Sequence, residues 1–384
     1  MGHTDAIADD IALRLLESEP VYAQGGPELH AELRASCREH TRRGVRTMAG
    51  LAEPDDAAVH VWRETGRTRA RQGVPMDAVL RAYSTGSRAL WEGLLDRAHR
   101  GDLEVDERVL LLAGQTVWRA LETQTATMAQ AYRREEARLH RRDLQRQQNL
   151  LDGLVEGRGA DPLFAADARE GLGIGDEDLL VCVVAPIEDP LDEPLKAPHD
   201  RLDRSGIVSH WHVRSGASFG IVAVSGRSLD DVVQLLQPCV AGRVGVADVS
   251  EGLAGVAMAY RLASRAAETL PAGTRRVVTL AQRLPEVLVA GSPEVVPALL
   301  ASTLDPVLAL PTQQADVLLD TLAALLRADG SPTHAAEVLY CHRNTVIYRM
   351  RQLESLTGRK LHDARDKLLL TLALLATGRS PDSP

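Results

Sequence analysis

Lysine is almost missing from this chain, with Lys196, Lys360 and Lys367 the only three among 44 basic residues. Arginine is the default cation, so an arginine by itself says little about partners. Cysteine is sparse too. Cys37, Cys182, Cys239 and Cys341 form no CxxC pair and have no histidine at ligand spacing, which disfavours a disulfide scaffold or a structural zinc site and suits reduced thiols in a cytoplasmic protein. No stretch reaches the roughly 18 uncharged apolar residues of a membrane span, "LLLTLALLATG" coming nearest. The N-terminal residues lack the basic start and long apolar run of a signal peptide. No GxxxxGK[ST], HExxH or GxSxG occurs, and "GLGIGDEDLLVCVV" sets its glycines ahead of a strand, the wrong order for a dinucleotide loop.

What is present is enough for two or three domains: 384 residues, 45% of them apolar. The formal net charge is −9. An acidic protein is a poor wholesale polyanion binder, so any nucleic-acid contact has to be a local patch.

The predicted fold class is multidomain, α and α+β. Residues 1–132 read as an all-helical bundle with apolar residues recurring at three and four: Leu29, Leu33 and Cys37; Val79, Ala82 and Tyr83; Leu90, Leu94 and Leu95; Leu110, Leu111, Val117 and Leu121. "EPDD" and "QGVPMD" mark breaks, with Pro75 and Asp77 opening a helix. Trp62, Tyr83, Trp91 and Trp118 fall here, as bundle core rather than as the wall of a ligand cavity. Residues 133–157 form a charged connector helix with an imperfect seam of Leu139, Leu144, Leu151 and Val155, suited to solvation or a dimeric coiled coil.

Residues 158–304 change character. "LLVCVVAP", "FGIVAVSG", "RVGVADV" and "RRVVTL" are short apolar runs bounded by turn residues, and "GLAGVAMAYRLASRAAETL" is a small-residue helix between the last two. The Pro-rich "PIEDPLDEPLKAPHD" reads as a surface loop. His210 and His212 flank Trp211 on a strand, so both imidazoles share one face, read as a polar sheet face rather than a metal pair.

Residues 305–384 are helical again. "PTQQADVLLDTLAALLRADG" places Val317, Leu318, Leu322 and Leu325 on one face and stops at "DG". In "SPTHAAEVLYCHRNTVIYRMRQLESLTG" the spacing fits a helix capped by Thr333, a turn at Cys341 and His342, and a second helix from Arg343 to Thr357 ending at Gly358. Val346, Met350 and Leu353 form its inward stripe, leaving Arg343, Asn344, Ile347, Tyr348 and Arg351 outward. Such a helix suits the DNA major groove, where Arg reaches guanine and Asn reaches adenine in bidentate geometry. Between Ala335 and Lys360 stand five Arg or Lys residues and two Glu, a local +3.

"AAEVLYCHRNTVIYRMRQLESLTGRKL" closely resembles the C-terminal helix-turn-helix of the PucR family of bacterial transcription regulators, which includes the sugar diacid regulators. Ala336, Glu337, Leu339, His342, Arg343, Asn344, Thr345, Val346, Tyr348, Arg349, Leu353, Glu354, Leu356, Thr357 and Gly358 carry the match. Ile347 departs from it, standing where the family carries a basic or polar residue; it removes a phosphate contact or supplies an apolar one to a thymine methyl. The resemblance implies a DNA-binding set of His342, Arg343, Asn344, Thr345, Ile347, Tyr348, Arg349 and Arg351. "GVPMDAVLRAYSTGSRALWEGLLDRA" resembles the helical N-terminal domain shared with stressosome RsbR proteins, which implies sensing or partner binding. The middle domain looks like the family's degenerate GGDEF-like domain. Its expected signature hairpin, "HVRSGASFGIVAV", has no carboxylate to hold the divalent metal a cyclase needs.

The expectation is a cytoplasmic, non-enzymatic transcription regulator without cofactor or metal. Its partners would be double-stranded operator DNA, a second copy of itself in a homodimer or larger assembly, and a small-molecule effector, with no membrane. A stressosome-like scaffold acting without DNA is the alternative.

Overall fold

The computed structural model describes residues 2–48, 51, 55–99 and 106–379, so "EPDD" lies partly outside the described residues. The chain packs as two compact units, Met1–Gln145 and Arg146–Pro384.

The first unit is built from α1 (Gly2–Ser18), α2 (Pro27–Met48), α3 (Asp55–Arg71), α4 (Met76–His99) and the start of α5 (Glu107–Val155). Pro75 opens α4 as its position predicts, its carbonyl accepting from the amides of Ala78 and Val79. Leu15, Leu33, Cys37, Val79, Met128 and Tyr132 fill the core, and the Tyr132 hydroxyl donates to the Val74 carbonyl at 2.9 Å. Gly66 is required where α3 crosses α5: a Cβ there would stand 2.4 Å from the Met128 carbonyl oxygen. Leu111 is 70% exposed and Trp118 59% exposed, so neither is the core residue its periodicity suggests. On a helix as long as α5 the apolar stripe exceeds the surface its neighbours cover.

The charged connector is the second half of α5, which runs unbroken for 49 residues. No proline interrupts it, and Glu135 pairs with Arg138 one turn on and with Arg71 of α3. Of the expected seam, Leu151 is buried among the second unit's core while Leu144 stays exposed.

In the second unit α6 (Pro162–Leu172) precedes a five-stranded sheet of order β2-β3-β1-β4-β5. Its strands are β1 (Leu179–Pro186), β2 (Val208–Arg214), β3 (Ala217–Val224), β4 (Arg243–Val249) and β5 (Arg276–Thr279). Only β4 and β5 pair in parallel. Both faces are covered, which explains why β1 is apolar throughout. Leu180, Cys182 and Val184 meet the end of α5, α6 and the helix α8 (Val256–Glu268). Val181, Val183 and Ala185 meet the helix α7 (Leu229–Leu236). At Gly245 a Cβ would stand 1.9 Å from the Ala263 carbonyl oxygen, so α8 lies directly on the β4 backbone.

The Pro-rich segment is the surface loop expected, exposed over 188–193 and anchored at its end, where Leu195 is buried and bridges Val240 and the Lys196 amide donates to the Cys239 carbonyl. His210 and His212 do share one face of β2, but helices cover it. His210 bonds the Leu172 carbonyl at 2.6 Å, and His212 lies 3.5 Å from Asp152 and edge-on to Phe219. Beyond α9 (Leu284–Ala290) the chain enters the C-terminal helices α10 (Thr312–Arg327), α11 (Pro332–Val338), α12 (Arg343–Thr357) and α13 (Ala364–Ala376).

Candidate nucleic-acid interface

The core beneath the interface comes from α10 and α13. Leu318, Leu322 and Leu325 are buried as predicted, but Val317 is exposed, and Ala315, Leu319 and Leu326 complete the stripe instead. The apolar face of α10 is rotated towards 315/319/326, which leaves Val317 on a groove beside Tyr348 and Gln352. α10 stops where predicted, with Asp329 and Gly330 both in left-handed backbone.

Ser331, not Thr333, caps α11: its hydroxyl accepts from the His334 amide, and Pro332 takes the first helical position. Proline there fixes the residue before it as the cap. Ala335 and Ala336 are buried, so α11 packs closely against its neighbours. The turn to α12 runs from Leu339 to His342, with Tyr340 in left-handed backbone (φ 49°). His342 is the N-cap of α12, its Nδ1 accepting from the Asn344 amide at 3.2 Å. Gly358, at φ 65°, ends the helix.

On α12, Val346 and Leu353 are fully buried and Met350 packs against the same core. Arg343, Asn344, Tyr348 and Arg351 are exposed, Tyr348 by 69%. Thr345 and Ile347 are half-buried at the margin of that face. Arg349 turns the other way, its guanidinium donating to the buried Thr321 hydroxyl of α10 at 3.4 Å. Of the five basic residues counted from sequence, Arg359 pairs with Asp366 and donates to the Ser302 carbonyl, and Lys360 pairs with Glu354. Arg343 and Arg351 are the two whose guanidinium groups make no hydrogen bond or ion pair among the described residues. The local +3 is therefore distributed round the domain, and the groove-sized face itself carries two cations.

Sequence reasoning missed Tyr340. It is 97% exposed at the turn next to the α12 N-terminus, and its position in left-handed backbone throws the side chain outward. The middle domain shows the hairpin expected from "HVRSGASFGIVAV": β2 and β3 pair around Ser215 and Gly216, with positive φ at both. Trp211 lies over Gly220, and no Asp or Glu occurs from Val208 to Val224. Among the described residues no cluster of three or more metal-ligating side chains exists, and no helix is long and apolar enough to cross a membrane.

Comparison with known proteins matches three family models along the chain. The RsbT co-antagonist protein rsbRD N-terminal domain matches residues 5–147, the GGDEF-like domain 156–269, and the PucR C-terminal helix-turn-helix domain 318–376. The purine catabolism regulatory protein of Bacillus subtilis (strain 168) is 42% identical over 67 residues, 17% of this chain and 13% of that protein. The carbohydrate diacid regulator of Escherichia coli (strain K12) is 43% identical over 54 residues, 14% of each chain. This chain thus matches only about one seventh of the length of either curated relative. A solved regulator of polyketide synthase expression from Bifidobacterium adolescentis is 19% identical, covering 61% of this chain and 93% of its own, with a TM-score of 0.32.

Proposed function

We propose that this chain, which matches an RsbRD-type domain, a GGDEF-like domain and a PucR-type helix-turn-helix in that order, is a regulator of the PucR type that controls transcription by placing α12 in the DNA major groove. The observation that carries this reading is the two-sidedness of α12: Val346 and Leu353 anchor it, and Arg343, Asn344, Tyr348 and Arg351 are exposed on its other side. Arg343 and Asn344 occupy the first turn, the part of a recognition helix that meets base edges. His342 and Thr345 flank them, Ile347 offers an apolar contact, and Arg349 orients the helix through Thr321 rather than by reaching phosphate.

One such helix contacts few bases, so useful specificity requires at least a homodimer reading two half-sites. A small-molecule effector acts through the N-terminal or middle domain. The middle domain works without catalysis, its hairpin lacking the carboxylates that would hold metal, and the protein acts in the cytoplasm.

Arg351→Ala tests the electrostatic part. It should weaken binding to specific and unrelated duplexes alike and lower the slope of log affinity against log salt by about one per protomer. Fluorescence anisotropy at several salt concentrations measures both quantities. Equal slopes in parent and variant would remove Arg351 from the phosphate contacts.

The RsbRD-type match favours a second reading, in which the helical domain docks protein partners and α12 is incidental. That reading expects Arg351→Ala to leave every measured interaction unchanged.

A further inference from the structure

The first unit holds a partly open cavity of about 150 Å³, lined from α1, α2, α3, α4 and α5 and by Tyr22. Bundle interiors are normally packed without voids of this size, and a cavity of about 150 Å³ is large enough to admit a benzene ring. Its wall is part apolar, with Ile11, Leu15, Val79 and Leu90, and part polar.

The polar part is an ordered chain of hydrogen bonds. Gln124 Nε2 donates to His40 Nδ1 at 3.0 Å, which leaves the imidazole hydrogen on Nε2. That hydrogen faces Tyr83 Oη at 3.1 Å and Thr65 Oγ1 at 3.3 Å, and Thr65 in turn donates to the Val61 carbonyl at 3.0 Å. Burial holds His40 neutral, its pKa lowered to about 4, and pushes the Tyr83 hydroxyl up. These groups therefore bring no charge to the cavity at neutral pH.

The charge comes from arginine. Among the described residues lining the cavity, Arg43 and Arg69 are the charged ones, and none is Asp or Glu. Arg43 pairs with Glu39 at 2.6 Å. Arg69 is only 3% exposed; it donates to Gln72 at 2.7 Å, and its carboxylate partner Glu32 stands off at 3.9 Å. Its guanidinium also lies over the Tyr22 ring, 5.8 Å from the centroid, and with no carboxylate on the described wall the cavity's lining is positive.

We propose that this cavity binds a compact organic monocarboxylate with an apolar body about the size of one six-membered ring, its carboxylate on Arg69 and its body against Leu15, Val79 and Leu90. The cavity gives the effector of the preceding reading an address. The step from occupancy to DNA control rests on that reading; occupancy itself does not.

Benzoate and cyclohexanecarboxylate are the probes, with benzamide as the uncharged isostere of benzoate, titrated into the full-length protein by calorimetry and by thermal shift at neutral pH. Both acids should bind and raise the melting temperature, and benzamide should bind at least about tenfold more weakly, the loss expected for one charge-assisted hydrogen-bonded contact. Arg69→Gln should remove the preference for benzoate over benzamide. Ala120→Leu, which grows a side chain into the cavity, should abolish binding of all three without lowering stability, and so gives an answer even where Arg69→Gln fails to fold. Absence of binding by both acids, equal affinity for benzoate and benzamide, or undiminished binding to Ala120→Leu would overturn the proposal. Benzoate binding in a protein that binds no DNA would uphold the site and sink the regulatory reading alone.

Discussion

Replacing Arg343 by alanine is expected to lower affinity for the preferred DNA sequence by about 1 to 3 kcal/mol, roughly 5- to 150-fold, and to relax specificity at one base pair. The fold should survive. Arg343 is exposed in the first turn of α12 and makes no ion pair or side-chain hydrogen bond among the described residues, while the turn before it is set by the His342 cap and the anchors Val346 and Leu353 lie further along the helix. Circular dichroism and the melting temperature should therefore match the parent while affinity falls. Unchanged affinity for the preferred sequence would remove Arg343 from base recognition. The contrast with Arg349 is informative: its bond to Thr321 lies at the α10–α12 contact, so Arg349→Ala acts on the seating of the helix.

The second large effect is on stability, and it comes from acid. His40 is held neutral inside the first unit by burial, with Arg43 and Arg69 adding to the depression and Glu39 opposing it. Its pKa falls to about 4 from the usual value near 6.5. The unfolded chain therefore binds a proton more readily than the folded one between these two values. The stabilisation is complete above about pH 6.5 and is lost as pH falls towards 4, with about 2 kcal/mol gone by pH 5 and about 3 kcal/mol over the whole window. The carboxylates do not mimic this signal. Glu135, held down to about 2 chiefly by its hydrogen bonds to Arg138 and Arg71, weakens the fold only at more acidic pH. Melting curves of the parent and of His40→Gln between pH 7 and pH 4.5 separate the contributions. The parent should lose more stability across that range, and equal losses would show that His40 titrates like an exposed histidine.

The C-terminal interface was largely legible in the sequence because its information is local. Val346, Met350 and Leu353 recur at helical spacing, Gly358 sits where a helix must stop, and "DG" ends α10 at Asp329 and Gly330, so bounds and inward stripe follow from one short segment. The errors there are of half a turn: Val317 exposed for buried, Thr333 named as cap for Ser331. The ion pairs of Arg359 and Lys360 were not legible, since counting charges along a segment does not show which face they occupy. The sheet of the middle domain was visible as apolar runs. Its order, with β1 between β3 and β4, depends on pairings that spacing does not encode. The cavity was the least legible feature. His40, Thr65, Tyr83 and Gln124 come from four helices, with 84 positions between the first and last, and each is an ordinary polar residue in its own helix. The sequence reading of the aromatics as bundle core rather than cavity wall is corrected at Trp62 and Tyr83, which line the cavity, and at Trp118, which faces outward.

The central claim is that α12 reads DNA sequence. Selection of bound duplexes from a random pool by the full-length protein, repeated with Arg343→Ala, tests it most directly. The prediction is one enriched sequence with two related half-sites, about 34 Å or a multiple of it from centre to centre where they lie on one face of the duplex. Loss of enrichment at a single position in each half-site should follow in the variant. A pool that stays random with the parent protein, or an enriched sequence identical in parent and variant, would contradict the assignment of α12 as the reading helix.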